Sequence, residues 1–264
     1  MLLIDTDLGA DFVPGANVVT VTSLNPPKRV QTENNVKVVK DGSPVMELVP
    51  PIERGFYHRT GPEKGNPMPV YSLAEVLHWL TTNWTALPYQ TVVIDTVDEV
   101  NCWIEDIVTA EMGIEQMGDA GWGADWGKAR RKNLDIIKRF QQLVKQHGGH
   151  LVLIAHAKST QLTDEKVQLG PDLPRGLGYA LTAKADVIGY TTARRDTGEY
   201  TISFRAYDER TVGSRLRPLA QKELPFDYQA IRAEISQYQA PEEQNHTPAP
   251  QETSTNGTTL LTNE

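Results

Sequence analysis

Three short apolar runs along the chain each end at a polar group, a pattern typical of strands buried inside a sheet. The runs are residues 1–4 before Asp5, residues 91–94 before Asp95, and residues 151–154 before Ala155 and His156. Each run is too short for a helix and lacks the alternation of a half-exposed strand, so both of its faces should be covered. The pattern therefore predicts three strands of a mostly parallel sheet.

Helical spacing separates the second run from the third. Residues 97–117 are rich in helix formers, and residues 128–147 repeat apolar positions every three or four residues, with Lys and Arg on the other face. Gly148 and Gly149 should end the second of these helices. A further helix over residues 72–84 is predicted to begin with a capping box between Ser72 and Glu75. Strand, helices and strand in this order indicate an α/β fold.

The other segments are predicted to complete a single core over residues 1–239. Three short β-like runs, at 18–22, 36–40 and 45–49, suggest that residues 17–70 form a β-rich antiparallel excursion with a loop over 58–69. We expect a long polar segment up to residue 173, strands at 183–193 and 200–206 joined by a turn at 196–198, and a short helix over 226–239. Residues 240–264 are predicted to be a disordered acidic tail, which would either solubilise the protein or dock a partner.

Charge and cysteine content narrow the class of protein. The chain has 26 Lys and Arg against 34 Asp and Glu, so bulk charge does not favour nucleic acid, although a local basic face remains open. The single cysteine, Cys102, excludes an intrachain disulfide, and we expect it on an apolar helix face in the core. The sequence has no secretion signal and no apolar run of a membrane-spanning length, so we expect a cytoplasmic protein.

The polar groups after the strands suggest a shared site. Ligands of open α/β sheets bind beyond the carboxyl ends of the strands, where we expect Asp5, Asp7, Asp95 and His156 to converge. Carboxylates on adjacent strand ends suit a Mg²⁺-nucleotide site, in which one holds the water shell of the metal and another orients the attacking water. The alternative is that each acid merely ends its strand or caps a helix, and that His156 is a buried, hydrogen-bonded histidine.

Four stretches of this sequence resemble the RecA-like P-loop ATPases, and among them the bacteriophage nucleotide-binding proteins of single-strand annealing and recombination. Residues 92–96 are similar to the Walker B strand, residues 3–7 to the strand that ends in the catalytic acid, and residues 153–156 to the strand that ends in the γ-phosphate sensor. Residues 121–127, rich in Gly and Trp, resemble the phage group. The likeness spans residues 1–206.

This resemblance implies ATP and Mg²⁺ as cofactors and single-stranded DNA as a partner. By the match, Asp7 is the general base for water attack and Asp95 binds at the Mg²⁺ ion, with Thr96 beside the nucleotide. His156 would sense the γ-phosphate and relay its state to the DNA surface. The implied activity is ATP-dependent handling of single-stranded DNA in phage recombination or replication, in the cytoplasm of the host cell.

The resemblance also implies assembly. RecA-like proteins form homo-oligomers with nucleotide at subunit interfaces, where Lys158, Arg194 and Arg195 are candidates to reach the phosphates of a neighbouring subunit. The alternative for each of these residues is ordinary surface charge. A single-strand binding protein or a recombinase is a further expected partner.

The sequence departs from this family in its phosphate loop. P-loop ATPases carry Gly-x₄-Gly-Lys-Ser/Thr before the acid-bearing strand, and no copy occurs here: Gly127-Lys128 is followed by Ala129, with Trp122 in the place of the first glycine. Without the N–H groups and the lysine of that loop, tight ATP binding and hydrolysis should fail. We expect either an N-terminally incomplete, hydrolysis-deficient ATPase or a non-catalytic adaptor on a degenerate ATPase scaffold. A Mg²⁺ nuclease that uses Asp5, Asp7 and Asp95 is a weaker alternative.

An aromatic and basic segment predicts a surface for single-stranded DNA. Its candidate residues are Trp122, Trp126, Lys128, Arg130, Arg131 and Lys132. Indole faces stack on bases, while cationic side chains follow the phosphates. The alternative is that the two tryptophans pack their loop onto the core and that the basic run is a solvated helix face.

Overall fold

The computed structural model describes residues 1–10, 15–26, 36–39, 43–46, 64–66, 70–163, 166–206 and 210–236. In chain order, the strands are β1 (Leu2–Asp5), β2 (Asn17–Ser23), β3 (Val36–Val39), β4 (Ser43–Met46), β5 (Tyr71–Ser72), β6 (Thr91–Asp95), β7 (His150–Ile154), β8 (Ala157–Thr163), β9 (Lys166–Pro171), β10 (Val187–Ile188), β11 (Tyr190–Ala193), β12 (Tyr200–Ser203), β13 (Gly213–Ser214) and β14 (Glu223–Pro225). The helices are α1 (Leu73–Asn83), α2 (Val97–Met112), α3 (Ala124–Gln146), α4 (Arg175–Thr182) and α5 (Tyr228–Ser236).

A five-stranded sheet with the order β5-β2-β1-β6-β7 forms the centre of the fold. Every neighbouring pair in it is parallel. The predicted α/β fold with a mostly parallel sheet is therefore confirmed, and so are the three strands expected from the apolar runs. Because the strands are parallel, their carboxyl ends lie along one edge of the sheet.

The helices pack on the sheet through the apolar faces that their spacing predicts. The capping box of α1 is present, with Ser72 Oγ accepting from the backbone N–H of Glu75 and the Glu75 carboxylate accepting from the N–H of Ser72. Ile104 of α2 and Phe140 of α3 are fully buried in the main core. Burying side chains of this size contributes about 1.5–3 kcal/mol each, so these helices are fixed mainly by packing.

Two helix boundaries differ from the expectation. Helix α2 stops at Met112 because Gly113 adopts a left-handed conformation (φ 64°) whose N–H bonds to the carbonyl oxygen of Thr109, so residues 114–117 lie beyond it. Helix α3 begins at Ala124, four residues earlier than predicted, and includes Trp126 in its first turn. Its end before Gly148 and Gly149 is as expected.

The prediction of an antiparallel excursion over residues 17–70 is wrong for its first strand. Strand β2 pairs in parallel with β1 inside the central sheet, which requires a crossover that the strand-like composition of this run cannot reveal. Strands β3 and β4 do form an antiparallel pair. Residues 47–49 and most of the predicted loop at 58–69 lie outside the described residues.

Strand β7 is less covered than its apolar sequence predicts. Val152 and Ile154 are 42% and 40% exposed, whereas Leu151 and Leu153 pack against the core on the opposite face. Within the described part of the chain, β7 lies at the edge of the sheet and pairs with β6 alone. The expectation of burial on both faces is therefore wrong for this strand.

The segment after His156 is more regular than expected. Instead of a long polar segment, β8 and β9 form an antiparallel hairpin, and helix α4 follows over residues 175–182, for which no element was predicted. The strand expected at 183–193 is present in part as β10 and β11, and the strand expected at 200–206 is present in part as β12. The predicted turn at 196–198 is confirmed between the antiparallel strands β11 and β12. Helix α5 confirms most of the short helix expected at 226–239. The predicted acidic tail at 240–264 lies outside the described residues, and no described helix is long and apolar enough to cross a membrane.

Candidate functional site

Polar side chains converge at the carboxyl edge of the central sheet in a group that we call the acidic rim: Asp5, Asp7, Asp95, Asp98 and His156. Register places the first two strands of this rim side by side, because Asp5 of β1 is the partner of Asp95 of β6. Register partners on neighbouring strands point to the same face of a sheet. The predicted convergence of Asp5, Asp7, Asp95 and His156 is therefore what the fold produces.

Asp5 is buried and holds the loop that follows β1. Only 4% of the residue is exposed, and its carboxylate accepts hydrogen bonds from the backbone N–H groups of Gly9 (3.1 Å) and Ala10 (3.2 Å). Asp7 is exposed and also accepts from Gly9. Burial raises the pKa of Asp5 and the nearby Asp7 carboxylate adds to this, while the two N–H groups oppose it. Asp5 therefore positions the loop, and Asp7 faces solvent.

Two threonines join the ends of β1 and β6. The N–H of Thr6 donates to the carbonyl oxygen of Asp95 (2.7 Å), and the N–H of Thr96 donates to Thr6 Oγ1 (2.6 Å), which donates in turn to the carbonyl oxygen of Thr96 (2.9 Å). The peptide bond between Asp95 and Thr96 is cis. The buried hydroxyl of Thr96 has no hydrogen-bond partner among the described residues. These bonds hold Asp95 at a defined position on the rim.

Asp95 carries a charge that the fold disfavours. Burial raises its pKa most, and the carboxylates of Asp7 and Asp5 raise it further, while His156 opposes the rise. Like charges crowded at one strand end are an arrangement that a divalent cation relieves. The donor chemistry at Asp95 therefore suits the ion that the resemblance implies.

His156 is tied to the rim by an acid that the sequence did not single out. Its Nδ1 lies 2.7 Å from Asp98 Oδ2, and its backbone N–H donates to Asp98 Oδ1 (3.1 Å). The hydrogen bond that His156 Nδ1 donates to Asp98 raises the pKa of the imidazole. Since 65% of the side chain is exposed, the alternative of a buried histidine is wrong. Asp98 lies in the first turn of α2, where an acidic residue is commonly explained by its favourable interaction with the helix dipole. Its sequence position therefore gave no sign of a role in the site.

Comparison with known protein families identifies the domain. A family model described as an AAA domain matches residues 1–216. The chain belongs to this family. No curated protein and no solved structure matched the chain. AAA domains are nucleotide-binding ATPases of the P-loop class, so the coarser part of the resemblance is confirmed, and membership of this class indicates a nucleotide and Mg²⁺ as the expected ligands.

A Mg²⁺ ion at the rim of this AAA domain would not rely on protein ligands alone. Among the described residues, no group of three or more His, Cys, Asp or Glu side chains is arranged to hold a metal. Mg²⁺ commonly takes one or two carboxylates and completes its shell with water and phosphate oxygens, which agrees with one partly buried carboxylate at Asp95.

Three other cations were predicted to reach phosphates, and one of them, Lys158, follows His156 by two residues. Lys158 Nζ pairs with Asp172 at 2.9 Å, and this exposed pair raises the pKa of the lysine. Arg194 and Arg195 are exposed in the turn between β11 and β12, which belong to a separate three-stranded sheet. Cys102 is exposed on α2, so its predicted core position is wrong; the core side of that helix carries Asn101 and Ile104.

The aromatic and basic segment of the AAA domain presents one tryptophan fully to solvent. Trp122 is completely exposed and adopts a left-handed conformation (φ 61°), which is rare for a bulky residue. Trp126 is 40% exposed. Buried Asp125 fixes this region by accepting from the N–H groups of Gly118 and Trp126, contacts that lower its pKa. The alternative that both tryptophans pack onto the core is wrong for Trp122.

The basic residues beside the tryptophans divide into two kinds. Lys128 and Lys132 each lie 2.8 Å from the Glu111 carboxylate, and together they lower its pKa to about 2. Arg130 and Arg131 are exposed, and neither forms an ion pair with a residue that the structure describes. The arginines are therefore more available to an anionic ligand than the lysines.

Proposed function

We propose that this AAA domain couples Mg²⁺-nucleotide binding to the handling of single-stranded DNA in phage recombination or replication. The observation that supports this function is the acidic rim, where three carboxylates and a histidine paired with a fourth converge beyond the strand ends. A Mg²⁺ ion bound there would neutralise charge on the β- and γ-phosphates. Asp95 is the residue that we assign to its water shell, with Thr96 beside it as a nucleotide contact.

Asp7 is the residue best suited to act as general base. It is exposed, so water can reach its carboxylate, whereas its neighbour Asp5 is buried and already accepts two backbone hydrogen bonds. A base must lie within hydrogen-bond reach of the water that it deprotonates. We assign Asp7 to that step and Asp5 to positioning the loop that carries it.

His156 has the chemistry of a phosphate sensor. Its Nδ1 faces Asp98, which leaves Nε2 on the exposed side of the ring for an incoming oxygen. Because Asp98 raises the pKa of the imidazole, the ring keeps its proton more readily and can donate from Nε2 to a phosphate. The β8–β9 hairpin begins at the residue after His156, so a movement of His156 would also shift this hairpin.

Assembly belongs to the same proposal. Nucleotide would lie between copies of the chain, and exposed Arg194 and Arg195, with Lys158, would approach the phosphates of the neighbour. Sedimentation with and without Mg²⁺-nucleotide tests this: a larger species is expected with nucleotide. A monomer under both conditions would contradict the assembly.

The experiment that tests the function compares nucleotide binding and DNA binding in the full chain. We expect weak Mg²⁺-ATP binding in calorimetry that is lost in Asp95→Asn and kept in Asp196→Asn, a matched change at an exposed turn. An oligothymidylate should quench tryptophan fluorescence through Trp122, and a duplex should not. A chain that binds neither Mg²⁺-ATP nor the oligothymidylate would overturn the proposal.

Hydrolysis is a separate expectation. Because these 264 residues contain no Gly-x₄-Gly-Lys-Ser/Thr, we expect ATP turnover by this chain at the buffer rate. Mg²⁺-dependent phosphate release that Asp95→Ala abolishes would show this expectation to be wrong. The missing phosphate-loop motif also favours a second candidate function, the non-catalytic adaptor. For an adaptor, Asp95→Asn should not change the affinity for single-stranded DNA or for proteins that bind it.

A further inference from the structure

A cavity of about 300 Å³ lies between α2, α3 and α4, outside the acidic rim. Its lining includes Asn101 of α2, Trp126 and Arg130 of α3, and Pro174, Arg175 and Gly176 at the start of α4. Small-ligand sites run from about 300 to 1,000 Å³, so this cavity has room for one base with its phosphate. Two of these residues, Trp126 and Arg130, were predicted as DNA contacts; the three at the start of α4 were not, because that helix was not foreseen.

The charges of the cavity are positive and free of acidic partners. Neither Arg130 nor Arg175 forms a hydrogen bond or an ion pair with any residue in the described part of the chain, and both are exposed. The Arg130 guanidinium lies over Gly176, since a Cβ added there would be 3.6 Å from Arg130 Nη1. Arg130 and Arg175 therefore line one opening from neighbouring helices, which suits the binding of a phosphate there.

The remaining walls suit a base. Trp126 lines the cavity and is 40% exposed as a residue, and aromatic faces stack on any base. Asn101 is 6% exposed; its Oδ1 accepts from Asn133 (3.0 Å) and its Nδ2 donates to Glu105 (2.6 Å). An amide has two donor hydrogens and two acceptor lone pairs, so Asn101 keeps one of each for the edge of a base. Its two bonds hold the amide in a fixed orientation.

The cavity adjoins the acidic rim through two connections to His156. Asn101 lies about one helical turn beyond Asp98 on α2, and Asp98 bonds His156. On the other side, the N–H of Asp172 donates to the carbonyl oxygen of His156 (2.7 Å), two residues before Pro174. His156 and the cavity are therefore connected both through α2 and through the segment that leads into α4.

We propose that this cavity binds one nucleotide unit of single-stranded DNA, with the base on Trp126 and the phosphate between Arg130 and Arg175. The inference rests on the proposed function and specifies where the strand is held. The same chemistry, a nucleoside monophosphate, could come from a free nucleotide. A strand is favoured because the exposed Trp122 and Arg131 continue the aromatic and basic surface outside the cavity.

The test uses the full chain and the anisotropy of a fluorescein-labelled oligothymidylate at several salt concentrations. The double variant Arg130→Gln with Arg175→Gln should bind more weakly, and the slope of log affinity against log salt should flatten by about 0.7, the value for one phosphate of a single strand. The matched control removes two lysines from exposed positions farther along α3, Lys138→Gln with Lys145→Gln, and should keep the slope of the wild type. Equal slopes and affinities in both double variants would overturn the cavity.

Trp126 supplies an independent readout. Trp126→Leu keeps an apolar side chain but removes the stacking face, so affinity should fall about 5- to 150-fold, and Trp126→Phe should recover most of it. Circular dichroism checks that both variants fold. If Trp126→Leu does not fold, the arginine pair still decides, and wild-type affinity in a folded Trp126→Leu protein would overturn the stacking.

Free nucleotide is the competing occupant. Thymidine monophosphate should displace the labelled strand only at concentrations far above those of unlabelled oligothymidylate. Displacement at equal concentrations, sensitive to the arginine double variant, would overturn the strand as occupant. A wild type that binds no oligothymidylate defeats both the DNA function and this site, whereas binding that ignores Arg130, Arg175 and Trp126 defeats the site alone.

Discussion

Replacing Asp95 with Asn should stabilise the protein when no divalent cation is present. Burial and the nearby carboxylates of Asp7 and Asp5 raise the pKa of Asp95, which means that its charge is unfavourable in the folded chain. Asn has nearly the same shape and no charge. A residue that weakens the fold while occupying a binding position is common at functional sites, where activity and stability conflict.

The expected gain follows from the spacing of the strands. Neighbouring strands lie about 4.8 Å apart. Two charges at about 5 Å, the spacing of the register partners Asp5 and Asp95, repel by about 332/(20 × 5), or about 3 kcal/mol, at an effective dielectric of about 20. Solvent screening reduces this repulsion because Asp95 is only partly buried. The attraction of His156 offsets part of this. We expect a net gain of about 1–3 kcal/mol, or roughly 2–4 °C in Tm for each kcal/mol in a chain of this size.

The assay is thermal and urea unfolding near neutral pH with EDTA. Asp196→Asn, at an exposed turn, is the matched control and should change little. Mg²⁺ should narrow the gap between the wild type and Asp95→Asn, because the cation neutralises the wild-type rim. A variant that is less stable than the wild type, or no more stable than the control, would refute the argument from charge crowding.

The stability of the protein should depend on pH through the same carboxylates. Asp5 and Asp95 have folded pKa values raised above the ordinary 3.8, so the folded chain binds protons more readily than the unfolded chain. These two carboxylates therefore lower the free energy of unfolding most at a pH above their raised folded pKa values. The destabilisation is relieved as pH falls through those pKa values towards 3.8. The relief should be smaller in Asp95→Asn. An equal pH profile in both proteins would contradict it.

Three further predictions concern residues around the site and in the core. Asp98→Asn should lower the pKa of His156 towards 6.5 in an NMR titration. In the wild type, the stabilisation from this pair is fully present below pH 6.5 and is lost as pH rises through the raised pKa of the folded state. An unchanged pKa of His156 in the variant would contradict the pairing. Glu111→Gln should leave Tm nearly unchanged, because the ion pairs of Glu111 are exposed. The change should also strengthen oligothymidylate binding about 2- to 5-fold, because it frees Lys128 and Lys132 to contact phosphates. Weaker binding would contradict a role for these lysines. Phe140→Ala should cost about 3–5 kcal/mol in urea unfolding, since the ring is fully buried under α3, and a cost below about 1 kcal/mol would contradict the packing.

Elements with a local signal were predictable from the sequence. The apolar runs marked β1, β6 and β7, and Ser72 with Glu75 marked the start of α1, because these signals depend on residues only a few positions apart. Helix α4 carried no such signal, since Arg175–Thr182 contains two glycines and begins without a capping side chain. The β8–β9 hairpin was missed because its polar sequence does not alternate strongly with apolar residues.

The candidate site was predictable only in part. Asp5, Asp7, Asp95 and His156 follow apolar runs, so the rule that ligands bind beyond strand ends brought them together before the fold was known. Asp98 was missed because its partner lies 58 residues away in the sequence. Arg175 was missed for the same reason, since its proximity to Arg130 exists only when α4 packs beside α3.

The amino-acid order of this AAA domain by itself determined the strand ends, the helix that begins at Ser72, and the acids and the imidazole that stand at the sheet edge. Those features arise from burial patterns and caps within one or two turns of chain. Tertiary structure alone decided that β2 enters the central sheet in parallel, that Thr6 bridges to Thr96 across 90 residues, and that Arg130 and Arg175 line one cavity. Such contacts depend on which distant segments pack together. The free energy that selects them comes from many mutually supporting contacts in the core, so no local stretch of sequence reveals them.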